Sequence, residues 1–374
     1  MRARTALIVG GGIAGLTAAI ALRRSGYSVT VLEQADRFEA MGAALSIWEN
    51  AILALRDIQA ADRIEAEAAQ IKGFAALTST GKPISGPHLT RQDIGAYLPT
   101  RSLLQSALLE QIPDESLRNN ALVRDIAQDD ETASVTLQDG ETLSADLVIL
   151  ANGIWSPQAT EILANTPSHA GYGGYLALVK DMGDTHDGIG REYWEDGQRI
   201  GIFDAGQGRR YWFYMCDEAA PHDNTKLSLD DIKHRMEGWA PEIGTVLSGT
   251  DDKALIPFSI HAKKAPRKLG KGRIVAIGDA AHAMEPNLGQ GACLSIEDAV
   301  ELADIAANCD IQDILPTFEK QRLRRIRDIV KRSASTRATV HKTWPLPPAL
   351  LRVIMSRIPH SISQSIMNKV RRVT

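Results

Sequence analysis

"TALIVGGGIAGLTAAIALRRSGYSVTVLE" occupies residues 5–33, and its reading decides the fold. Residues 5–10 form a short apolar, β-branched run, the pattern of a buried parallel strand. Residues 13–24 have helical character and stop at Ser25-Gly26. Residues 27–33 are again strand-like and end on an acid, Glu33. Strand, glycine-rich turn, helix and strand make one βαβ unit. Within it, Gly10-x-Gly12-x-x-Gly15 closes the first strand and opens the helix. Gly10 allows the tight turn, Gly12 a close backbone approach to a pyrophosphate, and Gly15 close packing of helix on strand. The helix N-terminus offers free N–H groups to an anion. Glu33 can accept from ribose hydroxyls and repels a 2′-phosphate, so the unit reads as a site for NAD or FAD. A tight glycine turn without a ligand is the plainer reading.

Outward from this unit, "SLLQSALLEQI" at 102–112 has helical period, and "SVTLQDGETLSADLVIL" at 134–150 reads as a hairpin about Asp139-Gly140 running into a buried strand. Between about 170 and 260, aromatic alternating segments such as "REYWEDGQRIGIFDAGQGRRYWFYM" suggest an antiparallel sheet. "RIVAIGDA" then returns to the buried-strand style, and from about 311 the chain looks helical. The expected fold is α/β: a Rossmann-type domain over 1–75, 97–167 and 265–340, an antiparallel-sheet domain over 76–96 and 168–264, and a helical segment over 341–374.

Bulk properties narrow the function. The 374 residues are 44% hydrophobic and 24% charged, ordinary for a globular protein, and a net charge of −4 argues against a nucleic-acid binder. Cys216, Cys293 and Cys309 are odd in number and lack metal-ligand spacing, which fits a reducing, cytoplasmic setting without a metal site. No uncharged apolar run is long enough to span a bilayer. No Ser–His–Asp or Cys–His nucleophile is evident, as expected where a cofactor carries the chemistry.

A second motif, "GDAAHAMEPNLGQGACLSIEDA" at 278–299, gives the cofactor. With "GGGIAGL" and Glu33, "LPTRSLLQSAL" around Arg101 and "ADLVILANG" at 145–153, it resembles the group A FAD-dependent aromatic hydroxylases related to p-hydroxybenzoate hydroxylase. The resemblance implies FAD, with Asp279 on the ribityl chain and Arg101 on the cofactor. Pro286 would shape the loop beside the flavin ring. Gly289, Gly291 and the following helix would present N–H groups to the flavin pyrimidine edge, where reduced flavin is anionic. It extends the cofactor set to Ala14, Gln34, Ala44, Val123 and Ala292. His282 reads as a structural histidine, Cys293 as packing, and Asp279 has the plainer reading of a helix N-cap. One departure is Asn152-Gly153, where many relatives have Asp-Gly followed by an arginine that is missing here.

"MGAALSIWENA" at 41–51 resembles the flavin-contacting loop of the urate hydroxylases in that family, and Arg199 and Tyr211 repeat the spacing of that subgroup's catalytic Arg and Tyr. The subgroup's Asp after the loop Pro is Asn287 here. The resemblance therefore implies a monooxygenase acting through a flavin C4a-hydroperoxide. NAD(P)H and O2 would be its co-substrates, a small aromatic or N-heteroaromatic ring its substrate, and Gly42 and Gly289 would leave room for flavin movement. The rivals are a reductase or dehydrogenase on the same fold and a flavin-binding protein without turnover. A halogenase lacks its Trp-x-Trp-x-Ile-Pro signature here. In the tail, "EKQRLRRIRDIVKRSASTR" at 319–337 reads as a solvated basic helix face. "PPALLRVIMSRIPHSISQSIMNKVRRVT" at 347–374 reads as a helical cap over the substrate domain or, alternatively, as a surface helix touching a membrane.

Overall fold

The computed structural model describes residues 3–38, 43–180, 187–195, 197–217, 227–337, 341 and 348–372. Thr5–Val9, Ser28–Leu32, Leu147–Leu150 and Ile274–Ala276 form the parallel heart of a six-stranded sheet. The order runs Gly270–Lys271, Ile274–Ala276, Leu147–Leu150, Thr5–Val9, Ser28–Leu32, Leu117–Arg118. All four side chains of Leu147–Leu150 are solvent-free. A strand covered on both faces cannot alternate in polarity, so its sequence is one apolar run.

The Ile13–Arg24 helix lies between this sheet and the Gly291–Asn308 helix. Its residues Gly15–Leu22 are all buried, so small alanines rather than an amphipathic stripe make it up. It ends where expected: Gly26 takes φ +87° and the Tyr27 N–H returns to the Leu22 carbonyl, a C-terminal glycine cap. The hairpin read about Asp139-Gly140 pairs Ala133–Leu137 with Thr142–Ala145, with Gly140 at φ +91°.

The second sheet has seven strands, in the order Ile256–Ala262, Ser168–Lys180, Arg209–Asp217, Gln198–Asp204, Ile189–Glu195, Gly73–Thr78, Pro83–Leu89. It is antiparallel except where Gly73–Thr78 runs parallel to Ile189–Glu195, two strands far apart in the chain. One face buries Tyr193, Ile200, Ile202, Trp212 and Tyr214 against the Leu229–Arg235 and Pro241–Ser248 helices. The other face carries Tyr172, Phe203, Phe213 and Met215, which belong to the same buried cluster as the six-stranded sheet. The pleat's two-residue period thus separates a structural face from a face aimed at the first sheet.

The Ile311–Thr336 helix packs along the Gly291–Asn308 helix, and Pro348–Ser356 and His360–Val370 cover the Pro83–Leu89 edge strand. Gln364 closes that edge by hydrogen-bonding both the N–H and the carbonyl of Leu89. No helix among the described residues is long and apolar enough to cross a membrane.

Candidate active site

The parallel strands end together at one edge of the six-stranded sheet, and that edge is built for close approach. Gly10 has φ +106°, and a Cβ there would meet Ala151 O at 2.6 Å and Asn152 Cα at 2.7 Å. A Cβ at Gly15 would lie 1.9 Å from Gly10 O, so helix and strand touch there. Gly12 is different: nothing lies within 4 Å of its missing Cβ, and no side chain caps the helix it precedes. An open glycine before uncapped N–H groups is a cradle of the size and polarity a diphosphate needs. Ala14 packs against Gly278 across this cleft. The Glu33 carboxylate accepts from Gly11 N at 2.8 Å and Ala35 N at 3.0 Å, which fixes it beside the turn, and Gln34 is exposed.

The Arg101–Leu109 helix forms a wall. Thr100 caps it, Arg101 N donates to Ala43 O at 3.0 Å, and Gln105 Nε2 reaches Gly11 O at 3.4 Å. Arg101 is exposed, and Ala44 bridges Thr100 through its backbone. Met41 and Gly42 lie outside the described residues. The Val123 carbonyl accepts from Gln158 Nε2 at 3.0 Å, and Gln158 Oε1 in turn accepts from Asn152 Nδ2 at 3.1 Å. Asn152 Oδ1 stays buried without a partner beside the glycine turn.

The second motif forms the opposite wall. Gly278 takes φ +57°, Asp279 begins a four-residue helix, and its exposed carboxylate caps nothing. Pro286 is exposed and opens the Pro286–Leu288 turn. Gly289 takes φ +61°, and a Cβ there would press on Ser46 Oγ and Trp48 Nε1, both at 2.7 Å. Gly291 is open and, with Ala292, begins a helix that no side chain caps. Two uncapped helix starts, the exposed Asp279 carboxylate and the exposed Arg101 guanidinium are a set of donors, acceptor and cation that fits FAD.

Beneath this wall lies a buried charge network that sequence reasoning missed. Asp298 bonds His282 Nε2 and accepts from Arg322 Nε at 2.9 Å and from Gly278 N at 3.3 Å. Glu297 accepts from Arg322 Nη1 (2.8 Å), Arg325 Nε (2.7 Å) and Asn50 Nδ2 (2.6 Å), and Asn50 also donates to Gln290 Oε1. Burial opposes ionisation of Asp298, but His282 and Arg322 outweigh it and hold its carboxyl below the usual range. The basic 319–337 stretch is therefore not simply a solvated face, since Arg322 is wholly buried and Arg325 nearly so. The signal for this was the acid pair Glu297-Asp298 set among Leu294, Ile296, Ala299 and Val300, on the buried side of a helix whose other acids, Glu301 and Asp304, are not buried. His282 is structural, as read. Cys293 is buried, bonded by Trp48 N, and its thiol is pushed up to about 12 by burial, an inert packing residue. Lys263 was also missed. It is buried, donates to Ala280 O at 2.7 Å, and burial lowers it to about 8 against the pull of Asp279.

The aromatic sheet face completes the enclosure. Register sets Arg199 beside Met215, and Phe203 beside Tyr211, on adjacent strands. Arg199 is 2% exposed; its Nη2 donates to Asn287 Oδ1 at 2.7 Å, Nη1 lies 3.5 Å from Glu192, and its guanidinium sits 5.5 Å from the Phe213 ring centre. Gly190 and Gly201 make room for the rings of Phe203 and Phe213 to lie flat on the sheet. Tyr211 packs against both. Burial pushes its phenol up to about 12, so at neutral pH it is a donor. Asn287 Nδ2 donates to Glu285 Oε2 at 3.1 Å and Ser333 O at 2.9 Å, and Tyr172 donates to Glu285 Oε2 at 3.0 Å. Arg199, Asn287 and Tyr211 thus share one aromatic-lined region although 88 residues separate the first two.

A profile of the FAD binding domain matches residues 3–333. The chain belongs to the group A flavoprotein hydroxylases. It is 31% identical to the aurachin C monooxygenase/isomerase of Stigmatella aurantiaca over 87% of each chain, and 28% identical to the FAD-dependent urate hydroxylase of Klebsiella pneumoniae, again over 87% of each. The solved structure of Klebsiella pneumoniae HpxO with FAD and uric acid superposes with a TM-score of 0.89 at 25% identity, over 99% of this chain and 97% of that one. The flavoprotein hydroxylase described here is accordingly an enzyme, an FAD-dependent monooxygenase.

Proposed function

We propose that this monooxygenase hydroxylates a small, flat aromatic or N-heteroaromatic ring, with NADH or NADPH as reductant and O2 as oxidant. The observation that carries the reading is the buried Arg199, fixed by Asn287 at the end of a face paved by Phe203, Tyr211 and Phe213. The names of two relatives, acting on urate and aurachin C, support a heteroaromatic carrying carbonyl or anionic oxygen. In this reading the six-stranded sheet and its helices hold the cofactor, while residues 76–96 and 168–264 supply the substrate side. Gly12, Glu33, Arg101, Asp279, Gly291 and Ala292 hold FAD. Bound and reduced, FAD supplies the electrons that activate O2. Arg199 then orients the oxygen-bearing edge of the ring, and the protonated Tyr211 phenol donates a hydrogen bond to it. Asn287 orients but takes no proton, and the aromatic face keeps water from the reacting ring.

The test is NADH and NADPH oxidation by the purified yellow holoenzyme with a panel of phenols, purines and quinolones, under air and under nitrogen. One ring should stimulate oxidation and gain an atom from labelled O2. Arg199→Ala should keep its flavin and lose roughly 100-fold in substrate-stimulated kcat/KM. Equal stimulation without O2 would indicate a reductase, and no reduction by either nicotinamide a non-catalytic flavin binder.

A further inference from the structure

The helices Pro348–Ser356 and His360–Val370 are committed on one side only. Inward, Met355 packs on Ala76, Ile84 and Trp194, Gln364 closes the Leu89 edge, and Arg371 lies 4.1 Å over the Trp48 ring. Outward, Leu350, Val353, Ile354, Ile358, Ile362 and Ile366 are each 39–52% exposed, and Leu89 beside them is 54% exposed. Single exposed aliphatics are ordinary, but five at helical spacing on two consecutive helices, with Ile358 between the helices, make an apolar strip of the kind that marks an interaction surface. Arg357 follows directly on the first helix, its N–H bonded to the Ile354 carbonyl, Lys369 lies three residues past Ile366 on the second, and both are exposed.

Charge chooses the occupant. From Ile329 to Thr374 the sequence has nine Lys or Arg and no Asp or Glu, in a chain of net charge −4. Arg352 and Arg371 of these are buried inward, while Lys331, Arg332, Arg357, Lys369 and Arg372 are exposed, and the remainder of the sequence carries a net negative charge. A second copy meeting the same face would oppose cation to cation. An anionic bilayer attracts the basic end, repels the acidic remainder, and accepts aliphatic side chains between its headgroups.

We infer that these two helices form a peripheral anchor for an anionic phospholipid surface. Leu350, Val353, Ile354, Ile358, Ile362 and Ile366 enter the headgroup–acyl boundary, and Arg357 and Lys369 remain with the phosphates. The surface works independently of which ring the enzyme oxidises.

Flotation of the holoenzyme with extruded vesicles tests this. Vesicles of phosphatidylcholine with about a third phosphatidylglycerol should carry the yellow protein upward at low salt, and phosphatidylcholine alone should carry much less. Binding should weaken as salt shortens the Debye length to about 3 Å near 1 M. Combining Ile354→Ser, Ile362→Ser and Ile366→Ser should cut partitioning at least about tenfold while flavin content and the melting transition are kept. Arg357→Gln with Lys369→Gln should abolish the preference for phosphatidylglycerol. The inference is overturned if the holoenzyme ignores anionic vesicles at low salt, or if the triple variant floats like the parent. A dimer that the triple variant disperses would overturn it too, by showing that a second copy covers the strip.

Discussion

Gly12 and Gly15 stand on one turn and should answer substitution in opposite ways. Gly15→Ala drives a methyl to within 1.9 Å of Gly10 O and must part helix from strand. Its melting temperature should fall sharply and flavin with it. Gly12→Val meets nothing within 4 Å of its Cβ, so the stripped protein should melt within about 0.5 kcal/mol of the parent. Flavin titration by fluorescence should nevertheless show greatly weakened FAD uptake. A Gly12→Val protein that takes up FAD normally would mean the diphosphate lies elsewhere. The glycine spacing alone separates a packing position from an approach position, because each follows from where the helix begins. Arg199 and Tyr211 were legible only through the urate hydroxylase spacing. The partners of Arg199 were not, because Asn287 and Met215 reach it by tertiary placement and cross-strand register, and neither leaves a local pattern.

At the level of elements, the Ile311–Thr336 helix is pinned to its neighbour by Arg322. Removing the guanidinium leaves Asp298 with His282 and Glu297 with Arg325 and Asn50, but takes from each buried carboxylate its Arg322 partner, which costs up to about 3 kcal/mol. Arg322→Met should lower the denaturant midpoint accordingly. It should also loosen flavin retention, since Asp298 holds the Gly278 N–H and His282 in the cofactor wall. Adding Glu297→Gln and Asp298→Asn to Arg322→Met should recover part of the loss. If Arg322→Met melts like the parent, the network does not support the wall. The helix itself was readable from its period. Its buried arginine was not, because an amphipathic basic helix and one clamped onto internal acids have the same composition. The parallel pairing of Gly73–Thr78 with Ile189–Glu195 was hidden for a related reason: strand direction in a sheet built from distant segments is decided by the crossover, not by the strand.

For the molecule as a whole, stability depends on how the tail is joined to the seven-stranded sheet. His88 is buried, bonds Ser85 Oγ at 2.7 Å and stacks on His360 of the last helix. Burial, reinforced by Arg371 and His360, pushes it from 6.5 to about 4. Between those values the unfolded chain holds a proton that the native protein excludes, so stability is complete above pH 6.5 and drains away as the pH falls toward 4. The loss is bounded at about 3 kcal/mol. His88→Gln should flatten this slope in denaturant melts across the window, and an unchanged slope would assign the acid sensitivity to other groups. The same junction has an optical consequence. Because the Arg371 guanidinium lies over the Trp48 ring, and the Trp48 backbone is held by Cys293 at the foot of the cofactor wall, any tug on the last helix should be reported, without a label, as a change in indole emission.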